Sequence, residues 1–335
     1  MSSSIFNELR IDTVIDGICV LLDNEPDDIG ALLMLAIAMK KQQEKTGVQI
    51  PLTLIVGEGN VEKLDMVINQ AKLLNLSCTV AQGPKSEKTF PSDLIDGFKI
   101  DCDSQAVVIV ENNSDDCLFK FLSRTLNPLL IVLKPFAELF KLPGHLFFNA
   151  VAVFYGSFNF SATCKKLGAS VVASNLNYYF RKCIVFETHF AMGADNNLSR
   201  TNAKVFYDLL REKKQSVGPF LNYFNAFAQS IQIWNQHIVL KQLNAIPIIA
   251  TTLQQNYRDP QQRTVLLEGL QRSVNIVNNI GADIDQMIFA DTALMACILA
   301  TGQTAVESGS IVQGNINFHP TTNYTTFVPD AQGKV

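Results

Sequence analysis

The chain has 335 residues, of which 47% are hydrophobic and 17% charged, with a formal net charge of −4. That is enough apolar material for one large core and excludes a disordered chain. Lys and Arg are scattered in clusters no longer than Lys213-Lys214, so no basic surface for a nucleic-acid partner is expected.

The N-terminal stretch MSSSIFNELRID has no basic segment followed by an apolar core, so no secretory signal is expected. From there the first half alternates two patterns. Short apolar, β-branched runs predict strands at 18–23, 52–57, 78–83, 106–111, 129–134, 150–156 and 182–187. All seven read as apolar on both faces, as strands covered by helices on either side must be. Between the first two, a helix beginning near Asp28 places Leu32, Leu35, Ala36 and Met39 on one face. A second helix is predicted from about Glu62 to Leu74. This order predicts an α/β fold with a mainly parallel, Rossmann-like open sheet and flanking helices.

Residues 199–302 are mostly helical in pattern, and 303–335 read as an extended C-terminal segment. No linker or repeat divides the chain, so 1–335 is read as a single domain. The longest apolar region, Leu129 to Tyr155, is interrupted by Lys134, Pro135, Glu138, Lys141 and Pro143, so no membrane span is expected. The seven cysteines form no CxxC pair and lack zinc spacing. They read as reduced, buried thiols of a cytoplasmic protein.

Ligands of open α/β sheets bind beyond the carboxyl ends of the strands. Those ends carry Asp23-Asn24-Glu25-Pro26-Asp27-Asp28, Gly57-Glu58-Gly59-Asn60, Glu111-Asn112-Asn113, Lys134-Pro135, Gly156-Ser157-Phe158-Asn159 and Glu187-Thr188-His189. Such carboxylates and amides suit a hard cation and a polyol. The first group is the most telling. Four acidic residues within six positions repel one another unless protons or a cation compensate, and Ca²⁺ takes six to eight oxygens. Helix capping competes as an explanation, since Asp27 or Asp28 suits an N-cap, but it accounts for only one or two of the four. Asp291, ahead of the apolar run ALMACILA, also reads as an N-cap when taken alone.

The segment LLDNEPDDIGAL resembles the D-x-D-P-G-x-D-D-A signature of the nucleoside hydrolase family, with Asp23, Asp27 and Asp28 matching its last three Asp and Leu21 replacing the first. A gapped alignment makes Glu25 the ligand instead. VGEGN (56–60) resembles the family's second-strand V-x-G-N, LLIVLKPFAELF (129–140) its G-P-L-T-N-L strand and loop, AVAVFYGSFNF (150–160) the strand ending in M-G-G, and FADTALMACIL (289–299) its H-D-P-L-A-x-A helix start. The resemblance spans most of 15–302.

It implies a Ca²⁺-dependent hydrolase that splits the N-glycosidic bond of ribonucleosides. Asp23, Asp28, Asp291 and the Leu133 carbonyl would hold Ca²⁺, and Asp27 would accept a proton from the cation-bound water. Asn60, Asn159, Asn177 and Glu187 would contact ribose, with SNLN (174–177) and VFET (185–188) competing for the family's A-E-F-N segment. It also implies a small-molecule nucleoside or ribosyl ligand and a homo-oligomer of unspecified number. Ala290 stands where relatives carry a leaving-group His, and Lys134 replaces a Gly; His189 is a candidate substitute acid, and Lys134 a candidate for binding a phosphate or carboxylate. Tyr223, Phe224, Phe227 and Trp234 could stack on a base, although aromatics at helical spacing are more often core.

Two other readings follow from the same residues. The chain could be a relative without catalysis that binds a ribosyl ligand or a protein partner. A phosphatase of the haloacid dehalogenase type shares a first strand ending in D-x-D, but Glu25 takes the second Asp position and no later Lys and acidic-pair motifs stand out.

Overall fold

In a computed structural model, the described residues are 15–57, 61–84, 104–155 and 181–186, scattered positions between 159 and 180, then 254, 257–279, 291, 295, 314–318 and 325–329. The chain opens with β1 (Gly17–Leu22), α1 (Pro26–Thr46), β2 (Leu52–Val56), α2 (Val61–Leu73) and β3 (Cys78–Gln82). It continues with β4 (Val108–Glu111), α3 (Ser114–Arg124), β5 (Pro128–Val132), two 3₁₀ turns (Ala137–Lys141 and Gly144–Phe147), β6 (Val151–Tyr155) and β7 (Lys182–Phe186). A long helix, α4 (Pro260–Asn279), and two strands, β8 (Gly314–Phe318) and β9 (Thr325–Pro329), come last.

All seven predicted strands form, within two residues of the expected ends, and all six pairings between them are parallel. The sheet order is β4-β3-β2-β1-β5-β6-β7. The fold is therefore α/β, with an open, Rossmann-like parallel sheet and flanking helices. The C-terminal segment read as extended holds β8 and β9, an antiparallel pair.

Strand β1 shows why the runs are apolar throughout. Alternate residues point to opposite faces. Ile18, Val20 and Leu22 join a core with Leu32, Leu35 and Ala36 of α1, Val67 of α2 and Leu266 and Leu270 of α4. Cys19 and Leu21 join the opposite core with Leu118 and Phe121 of α3 and with Phe136, Phe147 and Phe154. Burying these side chains on both faces, at about 25 cal/mol per Å² of apolar surface, drives the assembly. Strand β4 departs from the expectation. Ile109 is 54% exposed and Val110 48% exposed, because β4 ends the sheet and has a strand neighbour on one side only.

The strand order reverses at β1. One run of strands leads outward from it through β2, and the chain later returns to place β5 on its other side. The carboxyl ends of β1 and β5 therefore form the point where strand order reverses, the usual ligand position of such sheets. Cys19, Cys78 and Cys117 are buried and unbridged. Burial pushes the Cys78 thiol up to about 12 and Cys117 to about 11, so neither is a nucleophile near neutral pH. Among the described residues no helix is long and apolar enough to cross a membrane.

The turn after β3 is tightly held, with the Gly83 N–H donating to the Val56 carbonyl at 2.6 Å. A Cβ at Gly83 would stand 2.6 Å from that same oxygen, which is backbone and cannot rotate away. Gly83→Ala should therefore cost about 2 kcal/mol, measured as a lower urea midpoint with an unchanged slope.

Candidate metal centre

Helix α1 starts directly above the end of β1. Glu25 is its N-cap and Pro26 occupies the first helical turn, where a missing N–H costs nothing. Asp28, at the third helical position, reaches back to accept the Glu25 N–H at 2.8 Å, one half of a capping box. Neither Asp27 nor Asp28 is the N-cap itself, which corrects the simplest capping alternative. The Lys63 ammonium, buried at the start of α2, donates to the Asp23 carbonyl at 2.5 Å and pins the turn to the neighbouring helix.

The expectation that carries most weight concerns Asp291. It is 3% exposed, and one carboxylate oxygen from each of Asp27, Asp28 and Asp291 lies within 4.8 Å of the others. Asp28 is fully buried, while Asp27 keeps some exposed surface. Asp28 Oδ1 and Asp291 Oδ1 are buried without a hydrogen-bond partner. Asp23 stands at the edge of this group, its carboxyl in contact with that of Asp28. Glu25 is exposed and lies outside the group.

The electrostatics follow from this crowding. Burial, followed by the charges of Asp291, Asp23 and Asp27, raises the Asp28 carboxyl well above the usual range. Burial, then Asp27 and Asp23, raises Asp291 in the same direction. Asp27 is pushed up to about 7, first by burial and then by Asp23, while backbone N–H groups of Asp27, Asp291 and Asp28 pull it down. Asp27 is half-buried by surface area, yet so closely surrounded that burial remains the main cause. An arrangement that so disfavours negative charge must take up protons or a cation. Oxygen-only donors, with no His or Cys in the group, fit a hard ion such as Ca²⁺ or Mg²⁺ better than zinc.

Neither a protein-family model nor a curated protein matches this chain.

On the β5 side of β1, the loop after the strand is closely tied. The Leu133 carbonyl accepts the Asn159 side-chain N–H at 3.0 Å. Thr163 donates to the Asn159 carbonyl at 2.8 Å and accepts the Phe136 N–H at 3.0 Å. Asn159, expected to touch ribose, thus uses its amide nitrogen to fix Leu133, the expected carbonyl ligand. Lys134 is 4% exposed and its ammonium pairs with buried Glu138, while also reaching the Pro135 carbonyl at 3.4 Å. Its stem lies over Gly57, where a Cβ would be 2.5 Å from Lys134 Cδ. Glu138 therefore takes the role of carboxylate partner that was open for Lys134.

Asn60, Asn177, Glu187, His189, Ala290 and the aromatic residues at 223–234 lie outside the described residues. Lys63, Glu138 and Thr163 were not anticipated as part of this region, and Asn24 entered only as a member of the first strand-end group.

Two outcomes follow. In metal-free protein the folded-state affinity of Asp27 for its proton exceeds the unfolded one, so the folded state holds more protons between about pH 4 and 7. Stability is then greatest at the acid end and is lost as pH rises to about 7. Melting temperatures of EDTA-treated protein should fall from pH 5 to 7.5, and added Ca²⁺ should remove that fall. Separately, Lys134→Met should cost about 3 to 5 kcal/mol by leaving Glu138 buried and unpaired, and adding Glu138→Leu should recover most of it. Chemical denaturation of both variants checks this.

Proposed function

We propose that this protein is a Ca²⁺-dependent hydrolase of the N-glycosidic bond of ribonucleosides. One observation carries the reading: Asp27, Asp28 and Asp291 converge at the end of β1, with Asp28 Oδ1 and Asp291 Oδ1 buried and unpartnered. Those two orphaned oxygens, facing a crowd of like charges, suit a divalent ion better than protons at neutral pH. The order of motifs resembling nucleoside hydrolases supports the same assignment.

Asp28, Asp291 and, from the edge, Asp23 would hold the ion, together with the Leu133 carbonyl kept in place by Asn159. When bound, Ca²⁺ supplies a grip on ribose hydroxyls and lowers the pKa of nearby water. Asp27, half-buried and raised to about 7, has the proton affinity a general base needs near neutral pH. The water oxygen forms a bond to C1′, its proton passes to Asp27, and the electron pair of the C1′–N bond leaves with the base. Positive charge building on the ribose ring meets the surrounding carboxylates. Ala290 offers no proton to the departing base, so substrates whose leaving group needs none should react fastest.

Native protein should retain about one Ca²⁺ per chain, measured by elemental analysis, and Asp28→Ala should lose it. Asp27→Ala should keep the ion while kcat falls about 10²- to 10⁴-fold. A nitrophenyl riboside should outrun inosine by a similar factor. If ribose and Ca²⁺ bind but neither substrate is cleaved, a ribosyl-binding protein without catalysis replaces this reading, as the missing leaving-group acid at Ala290 would favour.

A further inference from the structure

Asn24 lies in the turn between Asp23 and the cap of α1, one residue from the carboxylate group. Its φ is +59°, in the left-handed region. Asn is tolerated there chiefly because its side chain can bond to nearby backbone. Asn24 makes no such bond. It is 2% exposed, and both its Oδ1 and its Nδ2 lack a partner. Its surroundings are otherwise tied down, through the Asp23 carbonyl to Lys63 and the Glu25 N–H to Asp28.

The fold alone does not account for this amide. Glycine would satisfy the left-handed turn without burying an unpaired donor and acceptor. Buried polar groups without partners are rare in folded proteins, and side chains kept at a cost to the fold concentrate where ligands bind. An amide offers one acceptor and one donor side by side. The matching ligand feature is a pair of adjacent hydroxyls, one donating to Oδ1 and the other accepting from Nδ2.

We infer that Asn24 is a substrate-binding residue, its buried side-chain amide taking the vicinal hydroxyls of a pentose beside the carboxylate group. This rests on the function proposed above and adds a contact that the motif resemblance does not assign, since the family signature carries Pro at the matching position. Asn24 would favour diol-bearing sugars and leave ion binding to the carboxylates.

The experiment compares wild type with Asn24→Gly, which keeps the left-handed turn and removes the amide, and with near-isosteric Asn24→Asp, which replaces the donor with a carboxylate oxygen and its charge. Ca²⁺-loaded proteins are titrated with ribose by calorimetry, KM for inosine is measured in parallel, and melting temperatures are recorded on metal-free protein. Asn24→Gly should weaken ribose binding and raise KM about tenfold, with Ca²⁺ affinity unchanged and the melting temperature held or raised. Asn24→Asp should also lose ribose affinity. A lower melting temperature with unchanged ribose affinity in Asn24→Gly would make Asn24 structural and overturn the inference, as would unchanged ribose affinity in Asn24→Asp. Ribose binding that depends on Asn24 without any base release would sink the hydrolase reading and leave this contact standing. Absence of ribose binding to the Ca²⁺-loaded wild type would overturn the contact itself.

Discussion

Like charges held close together inside a protein repel, and the region around the end of β1 is organised by that repulsion. Asp27 and Asp28 arrive on the first turn of α1, and Asp291 arrives from near the other end of the chain. Burial raises the proton affinity of all three, and the charges of Asp23 and Asp27 raise Asp28 and Asp291 further, with Asp291 adding to the effect on Asp28. The helix N-terminus offsets part of the cost, because its N–H groups and dipole favour negative charge within the first turn. It does not reach the Oδ1 atoms of Asp28 and Asp291, which stay unpartnered. A positive ion in that space would turn mutual repulsion into shared attraction.

The sheet makes this arrangement possible. A strand buried on both faces carries few polar side chains along its length, so its chemistry concentrates at its ends. Reversal of strand order at β1 places the loop after β5 beside the end of β1. That loop is held by side chain–backbone hydrogen bonds among Leu133, Asn159, Thr163 and Phe136, and by the buried Lys134–Glu138 pair. Removing one partner from such a network leaves a buried group unsatisfied, so single substitutions here carry the full desolvation cost of the partner left behind.

Differences in environment among chemically identical side chains divide the roles in the proposed reaction. Asp28 and Asp291, with almost no exposed surface, would hold the ion. Asp27, on the same helical turn, keeps a path to solvent and a proton affinity near neutrality, as a group that exchanges protons must. Two adjacent Asp residues thus acquire different chemistry because one faces inward from the helix and the other toward the opening.

Periodicity alone marked the seven strands and the first two helices, because apolar runs and helical faces are local properties that survive into the fold. The same local logic located Asp23, Asp27 and Asp28 at a strand end, where sheets of this class bind ligands. Burial around β4 was misjudged, since a strand's sequence does not say whether it lies at the centre or the edge of a sheet. Asp291 was tied to the others only through motif order, and its meeting with Asp27 and Asp28 is a property of the folded chain. Tertiary structure alone decided that Lys134 pairs with Glu138, that Lys63 holds the β1 turn, and that the Asn24 amide is buried without a partner. Each of these depends on which distant groups the packing brings within hydrogen-bond range, and no local pattern encodes that distance.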